Sequence, residues 1–173
     1  SKLEIGPKGP FIMLSRSHYG FVKRLLEIEI PELSDGTVML YSVARDAGSR
    51  TKIAVYTDYA NVEPLGAVIG EKGRRIASIL KELGGEKIDV VLYDKDPAKF
   101  ITNALSPAKN VKVTIKDESK KEALAVVPDD NLYRAIGRKG QNVKLASRLT
   151  HYKKKKKSES AMLEDEVVYT TKD

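Results

Sequence analysis

One short motif that could bind a ligand occurs twice in the chain. Residues 69–76 read Ile-Gly-Glu-Lys-Gly-Arg-Arg-Ile, and residues 136–143 read Ile-Gly-Arg-Lys-Gly-Gln-Asn-Val. Glycines at the second and fifth positions allow positive φ angles and remove the Cβ atoms that would keep a ligand away from the backbone. A helix that follows such a loop presents unpaired N–H groups and the positive end of its dipole, and this combination favours a phosphate.

The candidate binding residues are these two loops and the cations that follow them. Apolar residues beside the loops, including Ile76 and Val143, could floor a groove for unstacked bases. Glu71 should repel a phosphate, so we expect the second copy to be the stronger site. The predicted binding residues are Ile69, Gly70, Glu71, Lys72, Gly73, Arg74 and Arg75 in the first copy, and Ile136, Gly137, Arg138, Lys139, Gly140, Asn142, Lys144 and Arg148 in the second.

Hydrophobic periodicity places both motifs between helices, in the same order of elements. In the first half of the chain, the pattern of apolar residues predicts a helix that ends at Pro31 and then two strands, near 38–43 and 52–57. Helices near 62–69 and 74–83 and a strand near 88–93 are predicted to follow. The order begins again at Asp96-Pro97, and Asp129 or Asp130 is expected to cap the short helix before the second loop. Since repetition is better evidence than one copy, we predict an α+β chain with a first domain at 1–95, a second at 96–157 and a poorly ordered tail at 158–173.

Composition limits the classes of function. Among the 173 residues, 31 Lys and Arg outnumber 24 Asp and Glu, which gives a net charge of +7. The absence of Cys excludes disulfides, thiolate catalysis and Cys-ligated metal sites, and two distant histidines, His18 and His151, make no metal cluster. No apolar run has the roughly 18–20 residues of a membrane span, and no secretory segment is recognisable. We therefore expect an intracellular protein with a polyanionic partner, without metal or cofactor.

Charge is concentrated near the end of the chain. Residues 134–157 contain ten cations and no acid, and five of the ten are the consecutive lysines 153–157. The sign reverses after Lys157, where acidic residues dominate. Such runs are usually solvated, so we interpret lysines 153–157 as a basic segment that binds any polyanion, and the residues after them as an acidic tail.

Two glycine loops in matching context are the arrangement that the KH module uses to clamp about four nucleotides of single-stranded RNA. The sequence more specifically resembles the tandem KH region of the NusA family of bacterial transcription elongation, termination and antitermination factors. The resemblance covers nearly everything from Ser15 to about Leu149. It is carried by residues 45–55, 64–70, 82–89, 103–108 and 135–147.

The resemblance implies two type II KH domains packed together, single-stranded RNA as ligand, and RNA polymerase and antitermination factors as partners in the full-length protein. It also implies a non-catalytic, monomeric protein of the bacterial cytoplasm. Family members carry a polymerase-binding domain and an S1 domain outside this region, so these residues alone are expected to bind RNA without the full regulatory activity. Five tyrosines mostly fall at periodic positions and are therefore interpreted as packing residues rather than base-stacking ones: Tyr19, Tyr41, Tyr56, Tyr59 and Tyr93. KH modules also depend less on aromatic platforms than RRM sheets do.

The lysine run departs from the family, whose last KH strand has apolar alternation at this place. Five lysines cannot supply an inward apolar face, although an edge strand tolerates lysine. The run therefore either forms a weak edge strand or leaves the second domain without one.

Three other classes of function can be compared with these patterns. A general RNA-binding KH protein outside transcription is the main alternative. A nucleotide-handling enzyme would need a Walker motif or a GxGxxG loop after a strand, and the chain has neither; the pairs Asp94/Asp96 and Asp129/Asp130 are interpreted as helix caps rather than metal ligands. A duplex-DNA binder would need a recognition element such as a basic zipper, a zinc finger or a helix-turn-helix, and we recognise none.

Overall fold

The computed structural model describes residues 2–6, 9–13, 19–154 and 166–170. Near the N-terminus, β1 (Lys2–Gly6) and β2 (Gly9–Met13) form an antiparallel hairpin that the sequence analysis did not predict. His18 and the two serines before it lie outside the described residues.

The first domain follows the predicted α-β-β-α-α-β order, with one additional four-residue helix after the first. Strand β4 is central in its sheet, antiparallel to β3 and parallel to β5. Helix α1 ends before Pro31, as predicted, and Gly84 ends α4 in the left-handed conformation with φ 65°. The elements are α1 (Tyr19–Glu29), α2 (Pro31–Ser34), β3 (Met39–Asp46), β4 (Arg50–Tyr56), α3 (Pro64–Ile69), α4 (Arg74–Leu83) and β5 (Lys87–Leu92).

The second domain repeats this order. Its elements are α5 (Pro97–Ala104), β6 (Lys112–Asp117), β7 (Glu122–Val126), α6 (Asp129–Ile136), α7 (Gln141–Thr150), β8 (Lys153–Lys154) and β9 (Glu166–Thr170). The carboxylate of Asp96 caps α5 by accepting a hydrogen bond of 3.0 Å from the Ala98 N–H, as predicted. The predicted cap of α6 is wrong, because Pro128 is the N-cap residue. Asp129 and Asp130 instead lie in the first turn, where their charge still favours the helix dipole.

The two sheets differ in their last strand. In the first sheet β5 pairs directly with β4, whereas in the second β9 pairs antiparallel with β7 and separates it from β8. Because β8 is antiparallel to β9, it runs parallel to β7, as β5 does to β4. Lys153 and Lys154 thus form a short edge strand, and the Val-Val-Tyr segment, whose residue types favour strands, pairs in the centre. The charge pattern predicted a tail at residues 158–173 and no strand there, so this strand was not expected.

One hydrophobic core belongs to the first domain, and the other is shared by both domains. The first is built from α1, α3, α4 and the inner face of the sheet, with Val22, Ile53 and Ile79 fully buried. The second contains α5 and α7, and it also takes in Ala54 and Val91 from the opposite face of the first sheet. The second domain therefore covers a sheet face of the first.

Polar contacts fix the two domains at this interface. The buried ammonium of Lys52 on β4 donates to the carboxylate of Asp89, at 2.9 Å, and to the Ser106 carbonyl of the second domain, at 2.6 Å. Burial lowers the pKa of Lys52 although Asp89 opposes that effect. The Ser42 hydroxyl donates to the Leu149 carbonyl of α7 at 2.9 Å. These bonds give the junction a defined geometry.

Aromatic rings fill the edge of the same interface. Tyr41 stacks on Tyr93 with centroids 3.8 Å apart, and both rings meet the edge of Phe100 on α5. Tyr56 lies 5.4 Å from Tyr93. The packing role predicted for these tyrosines is confirmed, but it is wrong for Tyr59, which lies in the loop after β4 and is 57% exposed. Tyr19 is part of α1, but its side chain is outside the described part of the structure.

Candidate nucleic-acid interface

Residues 70–73, the first loop, join α3 to α4 through a single helical turn. Gly70 has φ 78° and ψ 169°, Lys72 has φ 54°, and Gly73 has φ 73°. A side chain at Gly70 would also lack space, since a Cβ there would lie 2.8 Å from the Cγ of Arg75. The first glycine is thus required by both its dihedral angles and its neighbours.

Residues 137–140, the second loop, reproduce this backbone between α6 and α7. Gly137 has φ 79° and ψ 170°, Lys139 has φ 56°, and Gly140 has φ 74°. A Cβ at Gly137 would lie 2.7 Å from the backbone nitrogen of Asn142, so the constraint here is set by the main chain itself. Two segments of different sequence therefore present the same loop at the start of a ten-residue helix.

Arg75 fixes the first loop from within its own domain. Its guanidinium donates to both carboxylate oxygens of Glu32, at 2.7 and 2.9 Å, and to the Ala67 carbonyl of α3 at 2.8 Å. Glu71 and Arg74 remain exposed beside it. The surface at this loop thus contains two carboxylates, those of Glu71 and Glu32. Arg75 was predicted to contact the ligand, but its charge is neutralised by Glu32.

Asn142 holds the second loop at the position that Arg75 has in the first. Its side chain is only 3% exposed, and its amide donates to the Ala135 carbonyl at 3.0 Å and to the Leu105 carbonyl at 3.1 Å. This differs from the direct ligand contact predicted for it, because α7 turns this side chain toward the core. Val143 is also fully buried and does not floor a groove, whereas Ile69 is 38% exposed and Ile136 is half-buried.

Four exposed cations lie in the second loop and along α7. Arg138 and Lys139 lie in the loop, and Lys144 and Arg148 occupy successive turns of the same helix face. Within the described residues these side chains have no carboxylate within ion-pair distance. Together with Asp46, Ser49, Gln141 and Leu145 they line an open groove of about 540 Å³, here called the basic groove.

The first domain supplies the opposite wall of the basic groove. Gln141, the first residue of α7, donates to the carboxylate of Asp46 at 2.8 Å and to the Ser49 hydroxyl at 2.6 Å. Both acceptors flank the turn between β3 and β4. The second loop is therefore seated against the first domain, a contact that sequence spacing could not have indicated.

A buried carboxylate holds that turn in place. Glu86 is 2% exposed and accepts hydrogen bonds from the Arg45 guanidinium at 2.8 Å, the Gly48 N–H at 2.9 Å and the Thr51 hydroxyl. Burial alone would raise the pKa of Glu86, but these donors outweigh it and lower the pKa. Glu86 thus stays ionised near neutral pH and keeps the turn in one conformation.

Tyr133 is an exposed aromatic residue near the second loop to which no role was assigned from the sequence. It lies on α6 four residues before Gly137 and is 73% exposed. The spacing of apolar residues in the sequence indicates this exposure. Leu132, Ala135 and Ile136 define the inward face of α6, so Tyr133 lies on the outward face. Periodicity therefore could have marked this ring as a surface residue.

The described residues contain no group of three or more His, Cys, Asp or Glu side chains placed to hold a metal ion. None of their helices is both long enough and apolar enough to cross a membrane.

Comparisons with known proteins agree on one family. Residues 16–93 match the NusA-like first KH domain, and residues 97–163 match the NusA-like second KH domain. Similar relatives are the transcription termination/antitermination proteins NusA of Halalkalibacterium halodurans, 50% identical over 96% of this chain and 44% of that protein, and of Bacillus subtilis, 51% identical over 92% of this chain and 43% of that protein. The Mycobacterium tuberculosis NusA is 49% identical over 86% of this chain and 43% of its own length. The chain thus spans less than half the length of these relatives.

Proposed function

This chain belongs to the NusA family, of which it forms the two KH domains, and from that premise we propose that it binds single-stranded RNA through its two glycine loops. The RNA would be the nascent transcript. In the full-length protein this binding would serve the modulation of RNA polymerase pausing, termination and antitermination. The relatives' names describe termination and antitermination, and the loops supply the chemistry that an RNA backbone needs.

The observation that carries the proposal is the identical backbone of the two loops, each at the start of a helix. The N–H groups of Arg74 and Gln141, the first residues of α4 and α7, donate to the Glu71 and Arg138 carbonyls of the loops. The next N–H groups of each helix have no partners within the helix. Glycine exposes the backbone there, so a phosphodiester can approach the positive end of each helix dipole. Both domains thus offer the same kind of anion site.

The second loop is proposed as the stronger of the two sites. Arg138, Lys139, Lys144 and Arg148 form a row along the basic groove that a phosphate backbone can follow. At the first loop, Lys72 and Arg74 add positive charge, but Glu71 offsets part of it and Glu32 neutralises Arg75. Phosphate contacts of this kind fix the register of the strand, whereas base edges carry the sequence information.

The remaining predicted residues take different roles. Ile69 and Ile136 present apolar surface beside the loops, where an unstacked base can pack. Arg75 and Asn142 are proposed to position the loops through the bonds they make to neighbouring helices. We propose no catalytic step and no cofactor for these residues.

The partners follow from the family. RNA polymerase and antitermination factors would act on the full-length protein, in the bacterial cytoplasm where transcription takes place. The region itself would act as a monomer.

Fluorescence anisotropy with a labelled single-stranded RNA tests the proposal. Counterion release by about four to six phosphate contacts gives a log–log salt slope near −3 to −4, since each contact on a single strand contributes roughly −0.7. Duplex DNA should compete poorly with the labelled RNA. A slope near zero, or equal competition by duplex DNA, would contradict the proposal.

A further inference from the structure

The side chain of Tyr133 is the most exposed large apolar side chain in the described part of the structure, at 73%. Leu132 and Ile136 of the same helix pack against the shared core, so the ring points away from it. Among the described residues, no other ring stacks on the Tyr133 side chain and no hydrogen-bond partner engages its hydroxyl. Single exposed apolar residues are common, so the surroundings of this ring decide what it can do.

Tyr133 lies at the mouth of a pocket of about 470 Å³ between the two domains, here called the interdomain pocket. One side is the second loop with Arg134 and Arg138. The other side is the first domain, through the start of β4 and of β5, with Arg50 and Lys87. This volume is within the roughly 300–1,000 Å³ of small-ligand sites.

The charge of the interdomain pocket has one sign. Arg50 is paired with Asp89, at 2.7 and 2.9 Å. Lys87, Arg134 and Arg138 have no carboxylate within ion-pair distance among the described residues, and no carboxylate lines the pocket. A ring next to unneutralised cations suits a ligand that is both flat and anionic.

Bare backbone completes the pocket. Gly48, Gly85 and Gly137 line it without side chains. A Cβ at Gly48 or Gly85 would meet nothing within 4 Å, so the space above these glycines is open. The pocket can therefore admit a planar group close to the backbone.

We propose that Tyr133 stacks on an unpaired base of the RNA, while the phosphate next to that base is held at the second loop by Arg138. Bases stack on exposed aromatic rings in single-strand-binding proteins, and every base has a π-face to offer. This inference rests on the proposed RNA-binding function and adds a residue that the loops themselves do not include. A protein surface as the partner is less suited, because an unpaired row of cations and glycine backbone offers it little apolar area.

The first domain lacks this feature. Gly66 is four residues before Gly70, as Tyr133 is four residues before Gly137. Stacking at this position is therefore a property of the second domain alone. It predicts that one base of a bound strand contributes to the affinity at the second loop, and that no base does so in this way at the first loop.

The test uses Y133A, Y133L and Y133F, with Y59A as the matched control because Tyr59 is also an exposed tyrosine but does not line the pocket. Anisotropy with a short single-stranded RNA should show Y133A and Y133L weaker by about five- to tenfold, the lower part of the range for loss of one stacked base. Y133F should bind within twofold of the parent because the ring is kept, and Y59A should be unchanged. Circular dichroism checks that each variant is folded.

A scan with one abasic nucleotide at each position of the RNA sharpens the test. One position should lower the affinity of the parent and have no further effect on Y133A, because base and ring form one interaction. The inference would be overturned if Y133A and the parent bound RNA equally well. It would also be overturned if every abasic site lowered the affinity of both proteins equally.

A third variant separates this inference from the proposed function. R138D/K139D should weaken binding to every RNA in the scan. If it weakens binding and Y133A does not, only the stacking inference fails. If the parent does not bind single-stranded RNA, or R138D/K139D binds as the parent does, the proposed function fails and the stacking inference with it.

Discussion

Around the first loop, a phosphate would meet Glu71 and the Glu32–Arg75 pair, and every residue of that pocket comes from the first domain. Around the second loop, it would meet Arg138, Lys139 and a wall contributed by the other domain. The backbone dihedral angles of the two loops agree within about 3° at each glycine. The comparison teaches that the glycines determine the shape of the site, while the flanking residues determine how strongly each copy can bind.

The largest effect is expected from reversing the charge of the second loop. R138D/K139D keeps both glycines, and acids near a helix N-terminus are mildly stabilising, so the fold should persist. Each charge-assisted contact is worth roughly 1.5–3 kcal/mol, and RNA affinity should therefore fall at least tenfold. The control is E71D/K72D in the first loop, which should cost less because position 71 is already acidic. A larger loss from the first-loop variant in anisotropy would reverse the ranking of the two sites.

Adding a Cβ to the first glycine of each loop should affect stability unequally. Gly70→Ala and Gly137→Ala both place alanine in a glycine-only region, which costs roughly 1–3 kcal/mol. Gly137→Ala should cost more in urea unfolding, because its Cβ would lie 2.7 Å from the backbone nitrogen of Asn142, whereas a Cβ at Gly70 would lie 3.0 Å from the backbone nitrogen of Arg75 and 2.8 Å from its Cγ. Gly73→Ala controls for φ alone, since its Cβ would meet nothing within 4 Å. Equal losses at Gly70 and Gly137 would contradict this difference.

Acid should loosen the wall of the basic groove through Glu86. Its pKa in the folded protein lies below the ordinary value of 4.5, so its ionised form stabilises the fold above pH 4.5, and that stability is lost as the pH falls through the lower value. Glu86→Gln should cost about 1–3 kcal/mol at pH 7. It should also make the free energy of unfolding fall less steeply in acid than in the parent. Urea unfolding from pH 7 to pH 3 measures both, and parallel curves would contradict the role given to Glu86.

The smallest effect is expected from making the first loop resemble the second. Glu71→Lys removes a carboxylate from the first pocket and should raise RNA affinity by about two- to fivefold, the effect of about 0.5–1 kcal/mol for an exposed charge. Asp58→Lys adds the same charge to a loop outside this pocket and should change affinity less at 0.15 M salt, because screening limits the reach of a surface charge to about 8 Å. Equal gains from both variants would show that net charge, not the loop, is responsible.

The order of elements and both loops could be predicted because their signals are local. Glycine spacing, Pro31, the Asp96 cap and the apolar periodicity of α7 each depend on residues within a few positions. The bond of Gln141 to Asp46 joins residues 95 positions apart, and no local pattern carries such information.

Asn142 and the last strand show a different limit. Asn142 was predicted to contact RNA, yet it is three positions from Leu145 and four from Ala146, both buried on the inward face of α7. Periodicity would have placed it correctly. The pairing of β9 with β7 was missed because the charge run before it indicated a tail more strongly than three apolar residues indicated a strand.

The shared core makes the two repeats a single thermodynamic unit. Cutting the chain between residues 95 and 96 would expose Ala44, Ala54 and Val91 to solvent on one fragment. On the other fragment it would expose the apolar faces of the helices that cover these residues. Neither fragment would retain the full apolar burial on which its stability depends. Although the sequence reads as two copies of one module, the chain should therefore melt in one cooperative transition.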